Sequence, residues 1–368
     1  MRLKRTLTLL LISSWLLCAC AQLEALPFWP KQVVEESPTL LIYSALGQNQ
    51  IDAYLSAFQK SHPEIKVKVE RYNTWDLERK VIAEKNAATR ADIIWGLAGT
   101  AMLRIQSEGL LEPFVTSEGD TLDRINKIST TMRDHTTTPS WIGFDIYVSA
   151  ICVNTDKMTE LGLPIPRSWK ALTDSRYKGL ISMPNPNSSG TGFMAVSSWM
   201  QLWGEEKAWE YLSNLDKNIT TYTDSGRKPC DNAAKGNIPI GIALDSAGVD
   251  LIKKGNSIEV IFPEEGSGWE VEAVAILRKN QINPDAQIFM AWAISEEAMN
   301  AYAAFYPLTA IKTSLEIPSL YPPDPYKQLI PNRFVWGTAN YDRLTGKWIS
   351  LYAAKTESGA TSVPSQGK

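Results

Sequence analysis

The chain has 368 residues, 44% of them hydrophobic and 21% charged, with a net charge of −3. That length allows one large bilobed domain or two domains, and the charge offers no basic field for nucleic acid and no polybasic membrane patch. The two histidines, His62 before Pro63 and His135 among Thr136, Thr137 and Thr138, read as solvated surface residues, so a histidine zinc site or a Ser-His-Asp triad has little support.

Arg2, Lys4 and Arg5 precede an apolar run from Leu7 to Leu17 that is too short for a mature membrane span, the pattern of an export signal. The run ends in Leu17-Cys18-Ala19-Cys20, which resembles a bacterial lipobox with Cys20 as the lipidated first residue. A plain secretory signal cut near Ala19 or Ala21 is the alternative. On the lipobox reading, residues 1–20 are a lipoprotein signal and 21–37 a tether, with Pro27 and Pro30 against regular structure. The expected location is the periplasm or cell envelope, held to the membrane only by that lipid. Cys152 and Cys230 remain in the exported body, where a bridge between them is expected. Two separate buried thiols are the alternative, and two distant cysteines make no metal motif.

Thr39 to Ser44 reads as a strand, Gln48 to Lys60 as a helix with Ile51, Tyr54, Leu55 and Phe58 on one face, and Ile65 to Glu70 as an alternating strand. Asp76 to Ala87 is helical, Ala91 to Trp95 is a buried strand ending at Gly96, and Ala101 to Glu108 is a short helix closed by Gly109. Strands alternating with helices imply an α/β fold with a mostly parallel sheet. Ligands of such sheets sit beyond the carboxyl ends of the strands, here Tyr43-Ser44-Ala45 and Trp95-Gly96-Leu97-Ala98. Residues 140–154 are long for one strand and are expected to cross from one lobe to another; residues 269–277 are expected to cross back. Further strands are expected at 218–222, 238–244 and 258–262. One long helix is expected over 284–306 and another near 341–352, with a disordered tail over 355–368.

The richest stretch is Met183-Pro184-Asn185-Pro186-Asn187-Ser188-Ser189-Gly190-Thr191-Gly192-Phe193. An apolar strand stops at Pro184, and from Phe193 a helical pattern of Val196, Trp199, Met200 and Trp203 begins. Free N–H groups and the positive dipole end of such a helix suit a tetrahedral oxyanion, and Ser188, Ser189 and Thr191 add hydroxyl donors. An ordinary Ser/Thr helix cap is the commoner explanation of such a loop.

Together with Pro139-Ser140-Trp141-Ile142-Gly143-Phe144-Asp145, Ala150-Ile151-Cys152-Val153-Asn154-Thr155, Lys228-Pro229-Cys230 and Asp92-Ile93-Ile94-Trp95-Gly96-Leu97-Ala98, this stretch resembles the extracellular solute-binding proteins of bacterial ABC importers. Over about Thr39 to Tyr306 it is most similar to the iron/thiamine/polyamine/phosphonate branch, and within that to the 2-aminoethylphosphonate-binding proteins. The resemblance implies a type II periplasmic-binding-protein fold of two lobes joined by crossover hinge strands. Lobe 1 would be 38–146 plus about 272–300, and lobe 2 would be 147–271 plus about 301–354. It implies a monomeric, non-enzymatic protein without cofactor that captures a small anion, such as a phosphonate, and delivers it to permease subunits of an ABC importer. Ligand contacts are expected from Ser44, Ala45, Leu97 and Ala98 in the first lobe. From the second they are expected from Ser188, Ser189, Gly190, Thr191, Gly192, Ser225 and Asp245, with Asp145 either holding an ammonium group or capping a strand edge. The small residues of Leu244-Asp245-Ser246-Ala247-Gly248 replace an aromatic and a basic residue of those relatives. Ferric iron, thiamine or polyamine binding is the alternative within the class. A secreted hydrolase using Ser189 or Thr191 is the alternative outside it, although no Gly-x-Ser-x-Gly elbow surrounds them.

Overall fold

Every residue of one strand, β5 (Ile142–Asn154), is buried, its polar Asp145, Ser149 and Asn154 included, so the strand is covered on both faces. The computed structural model describes residues 39–87, 90–116 and 119–357. Cys20, the export signal and the tether lie outside the described residues, as do 358–368.

On one side of β5 lie three parallel strands, β1 (Leu40–Ser44), β2 (Val67–Arg71) and β3 (Ile93–Ala98), in the order β2-β1-β3. Between them run α1 (Gln48–Ser61) and α2 (Thr74–Ala83), and α3 (Gly99–Ser107) follows β3. β4 (Leu111–Glu112) and α4 (Gly119–Lys127) lead into β5. After β5 come α5 (Thr155–Glu160), β6 (Ile181–Pro184), α6 (Gly190–Trp203), α7 (Glu205–Asp216), β7 (Ile219–Thr223), α8 (Lys228–Ala234), β8 (Ile240–Leu244), α9 (Asp245–Lys253) and β9 (Ile258–Ile261). The chain returns through β10 (Trp269–Leu277), α10 (Pro284–Ala293), α11 (Glu296–Ala303), β11 (Leu308–Thr309) and α12 (Phe334–Tyr352).

The strands run β2-β1-β3-β10-β5-β8-β6-β7. The first half of β5 pairs antiparallel with β10, from Val274 opposite Ile142 to Trp269 opposite Val148. Its second half pairs with β8 from Ser149 and with β9 from Ile151. One strand thus serves two sheets and changes partners at Val148 and Ser149. The backbone N–H of Val148, at this change of partners, donates to the Asp245 carboxylate at 3.2 Å, so the crossover leaves no orphaned donor there.

The second sheet is tied by the Cys152–Cys230 disulfide, whose Cα atoms are 5.3 Å apart. Glycines let the elements come this close. A Cβ on Gly241 would lie 2.4 Å from the Pro229 carbonyl, and one on Gly248 would lie 2.9 Å from the Cys152 sulfur. α12 reaches both halves of the molecule. Tyr341 stacks on Trp75 of α2 with centroids 3.7 Å apart and meets Phe193 of α6 edge-on at 4.9 Å, while Trp348 packs against Tyr222 at 4.7 Å.

Three expectations need correction. The helix expected over 284–306 is two helices, because Ser295 caps a new start by accepting from the Ala298 N–H at 3.1 Å. Of the 301–354 expected in the second lobe, residues 302–309 stay with the first sheet, since Tyr302 stacks on Phe144 and β11 pairs with the first half of β5, whereas Trp348 of α12 does meet the second. Residues 355–357 are not tail. Thr356 bridges to Tyr222, and the Glu357 carboxylate accepts from Lys228 at 2.8 Å.

The disulfide closes a loop of 78 residues, which a chain-entropy argument values at about 4 kcal/mol. Cys152→Ala with Cys230→Ala should lower the urea midpoint by the equivalent of roughly 2–5 kcal/mol. An unchanged midpoint would show that the surrounding packing alone holds the second sheet.

Candidate ligand cavity

A cavity of about 420 Å³ opens where the carboxyl ends of the strands in both sheets face each other. The starts of six helices lie on it: Gly47 and Gln48 at α1, Asn73 and Thr74 at α2, Ala98 before α3, Ser189 to Thr191 at α6, Arg227 before α8, and Ser246 and Ala247 at α9. Each helix start carries N–H groups without an intrahelical partner and a partial positive charge. Two of these starts are already engaged by carboxylates: Glu270 of β10 accepts from the Thr100 N–H at 3.2 Å and from its hydroxyl at the start of α3, and Asp245 accepts from the Ser246 N–H at the start of α9. At α1 the Gln50 side chain reaches back and accepts from the Gly47 N–H at 2.8 Å. α2 has no side-chain cap, and in α6 Ser189 accepts only from the Gly192 N–H, at 3.4 Å.

The starts of α2 and α6 touch. A Cβ on Gly190 would lie 2.7 Å from the Thr74 hydroxyl, and one on Gly226 would lie 2.1 Å from that of Thr191. Glycine at these two positions lets three loops close around one point. Two cationic side chains face the cavity. Arg227 is held by Asp250 at 2.6 Å and Asp231 at 3.2 Å. Arg71, at the carboxyl end of β2, donates its Nε–H to the Leu46 carbonyl at 2.8 Å and has no carboxylate partner among the described residues. Crowding pulls its pKa down, and the charge of Asp224 on the opposite wall pushes it back up.

Acidic residues make the floor. Glu272 of β10 lines the cavity and lies directly opposite Asp145 of β5, so both carboxyls share a face. Asp145 is completely buried, and its carboxyl has no hydrogen-bond partner among the described residues other than that of Glu272. Burial first, and then the neighbouring charges of Glu272 and Asp245, hold it well above the carboxylate range; burial does the same to Glu272. Tyr147 and Tyr306 complete the floor, their phenols pushed well up by burial and by nearby carboxylates.

Of the residues expected here, Ala45, Ala98, Ser189, Gly190, Thr191 and Ser225 do line the cavity. The others lie behind its wall. Ser44 donates to the Trp95 carbonyl at 2.8 Å, locking β1 to β3. Leu97 alternates into the apolar core. Ser188 is turned onto the Asp224 carbonyl at 3.3 Å. Gly192 is small because a Cβ there would lie 2.6 Å from the Pro184 carbonyl. Asp245 serves Val148 and accepts from the Tyr321 hydroxyl at 2.9 Å. Asp145 sits beneath Glu272, and Glu272 is the carboxylate of the pair that the cavity meets. Arg71, Asn73 and Thr74 were missed, although the strand-end rule applied to β2 points to them.

Residues 53–327 match the family model of the bacterial extracellular solute-binding proteins. The chain belongs to this family. An uncharacterised protein of Haemophilus influenzae is 30% identical over 261 residues, covering 70% of this chain and 73% of that one. The periplasmic binding protein AfuA of Actinobacillus pleuropneumoniae, solved with exogenous fructose-6-phosphate bound, superposes with a TM-score of 0.77 at 28% identity over 86% of this chain and 98% of its own. Iron-bound HitA of Pseudomonas aeruginosa gives 0.69 at 20% over 84% and 98%, a likeness of fold. The fold is the type II periplasmic-binding-protein fold. This solute-binding protein is not an enzyme, and its partners are a small molecule and the permease of an ABC importer. No helix among the described residues is long and apolar enough to cross a membrane.

The raised carboxyls fix a pH dependence. Burial holds Asp245 up at about 6 and Glu270 up at about 7. The folded state therefore binds more protons than the unfolded one above about pH 4, and stability falls as pH rises from there through about pH 7. The melting temperature of the purified protein should drop across that window, and Glu270→Gln should flatten its upper part. A melting temperature that rises over the same range would contradict these assignments.

Proposed function

We propose that this solute-binding protein captures a small phosphorus oxyanion, a phosphonate such as 2-aminoethylphosphonate, and presents it to its permease as a monomer anchored through a lipid on Cys20. The observation that carries this is the convergence on one cavity of the touching starts of α2 and α6 with Arg71, which has no carboxylate partner among the described residues. Converging N–H donors and one guanidinium match the three oxygens of a phosphoryl group. AfuA, of similar fold and 28% identity, was solved with a phosphate ester bound, which supports the oxyanion reading. The acidic floor opposite suits a positively charged group on the same small molecule.

One observation favours a second reading, ferric iron. The Tyr147 and Tyr306 phenols and the Glu272 carboxyl all line the cavity, and these are hard oxygen donors. Iron bound there would have to displace the protons of both phenols, whose pKa burial and the nearby carboxylates raise.

Thermal shift and calorimetry of the purified protein with 2-aminoethylphosphonate, fructose-6-phosphate, Fe³⁺, thiamine and spermidine separate these readings, since a ligand of the native state raises the midpoint. We expect a phosphorus oxyanion to give the largest shift, and Arg71→Gln, like Ser189→Ala with Thr191→Val, to weaken it roughly ten- to a hundredfold. A shift with Fe³⁺ or spermidine and none with any phosphorus compound would overturn the proposal.

A further inference from the structure

The floor of the cavity contains a feature that oxyanion capture does not use. Asp145 and Glu272 face each other across the β5–β10 ladder with Cα atoms about 5 Å apart. Asp145 is completely buried, and its oxygens have no partner but the Glu272 carboxyl. Glu272 is 6% exposed, lines the cavity, and has an unpartnered Oε2. The groups around the pair offer no positive charge. β5 contributes Tyr147, β10 contributes Glu270, α9 contributes Asp245, and α1 contributes Tyr54 and Gln50. Tyr302 and Tyr306 come from α11 and the residue stretch just after it. Neither carboxyl takes part in an ion pair among the described residues. Two adjacent buried carboxyls without a cation cannot both ionise, so they hold a proton between them.

Resting on the phosphonate reading, we propose that this pair is a cation-exchange site: the empty cleft holds one proton on Asp145 and Glu272, and the ammonium group of a zwitterionic phosphonate displaces it. The exchange balances. Before binding, one carboxyl and one carboxylate carry a single negative charge. After binding, two carboxylates and one ammonium carry the same charge, and the proton has gone to solvent. The buried charge is therefore constant, while the ammonium supplies the hydrogen bonds that the carboxyl oxygens otherwise lack. The pair then sets specificity. A phosphoryl compound with an amine gains the floor, whereas one with only hydroxyls leaves the proton in place.

The test is calorimetry of the whole protein near pH 8, with the protons that each ligand's own second ionisation releases, known from its titration in solution, subtracted. It uses 2-aminoethylphosphonate, ethylphosphonate and fructose-6-phosphate in two buffers of different ionisation enthalpy. The expected result is release of about one proton with 2-aminoethylphosphonate and none with the other two, and a preference for the amine of roughly ten- to a hundredfold. Lowering the pH by one unit should weaken the amine ligand about tenfold relative to ethylphosphonate. Glu272→Gln and, separately, Asp145→Asn should abolish proton release and bring the ratio of the two phosphonate affinities towards one. A role confined to stability would weaken both ligands together and leave that ratio unchanged, which would overturn the inference. Equal affinities without proton release, or tighter binding of fructose-6-phosphate, would also overturn it and leave oxyanion capture standing. Binding of none of the three would overturn both.

Discussion

Strand β5 is the constraint on which the rest of the molecule depends. It is buried along its whole length and is shared between two sheets, so whatever changes its partners at Val148 and Ser149 also sets how the two halves face each other. Asp245 completes that change by accepting the Val148 N–H. A carboxylate expected at the ligand is thus spent on the crossover. Because both sheets meet on one strand, their carboxyl ends, and the helix starts that follow them, open on the same cavity. Tyr341 of α12, between Trp75 and Phe193, fixes α2 and α6 relative to each other from behind. The contact of Thr74 with Gly190 at the cavity follows from that packing.

The cavity is electrically two-ended. Helix starts and Arg71 make one side positive, whereas Glu272, with Asp145 beneath it, makes the floor acidic. Glu270 marks the division, because it neutralises the start of α3, and Asp245 likewise heads α9, whereas the first turn of α6 carries no acid. A ligand with one anionic and one cationic end matches this field better than a simple anion would, and better than a polyamine, which would meet Arg71 and the helix starts.

Much of this was legible in the sequence. Alternation of strands with helices gave the α/β class, the length of the stretch at 140–154, long for one strand, gave the crossover, and strand ends gave half of the expected lining. What failed was parity. Ser44 and Ala45, or Leu97 and Ala98, are adjacent on a chain whose side chains alternate, and sequence does not say which of each pair faces the ligand. Asp145 and Glu272 show a different limit. Their pairing depends on the register between strands far apart in the chain, and in the sequence each is a single acid in an apolar run. The break at Ser295 was readable from Ser295-Glu296-Glu297 as a helix start, but the apolar period running through it masked the signal.

The most direct test of the account is a crystal structure of the protein with 2-aminoethylphosphonate. The account predicts phosphonate oxygens about 3 Å from the first-turn N–H groups of α2 and α6 and from the Arg71 guanidinium, with the amine on Glu272. A phosphonate placed on the floor with its amine towards Arg71, or a metal ion held there by Tyr147 and Tyr306, would contradict it.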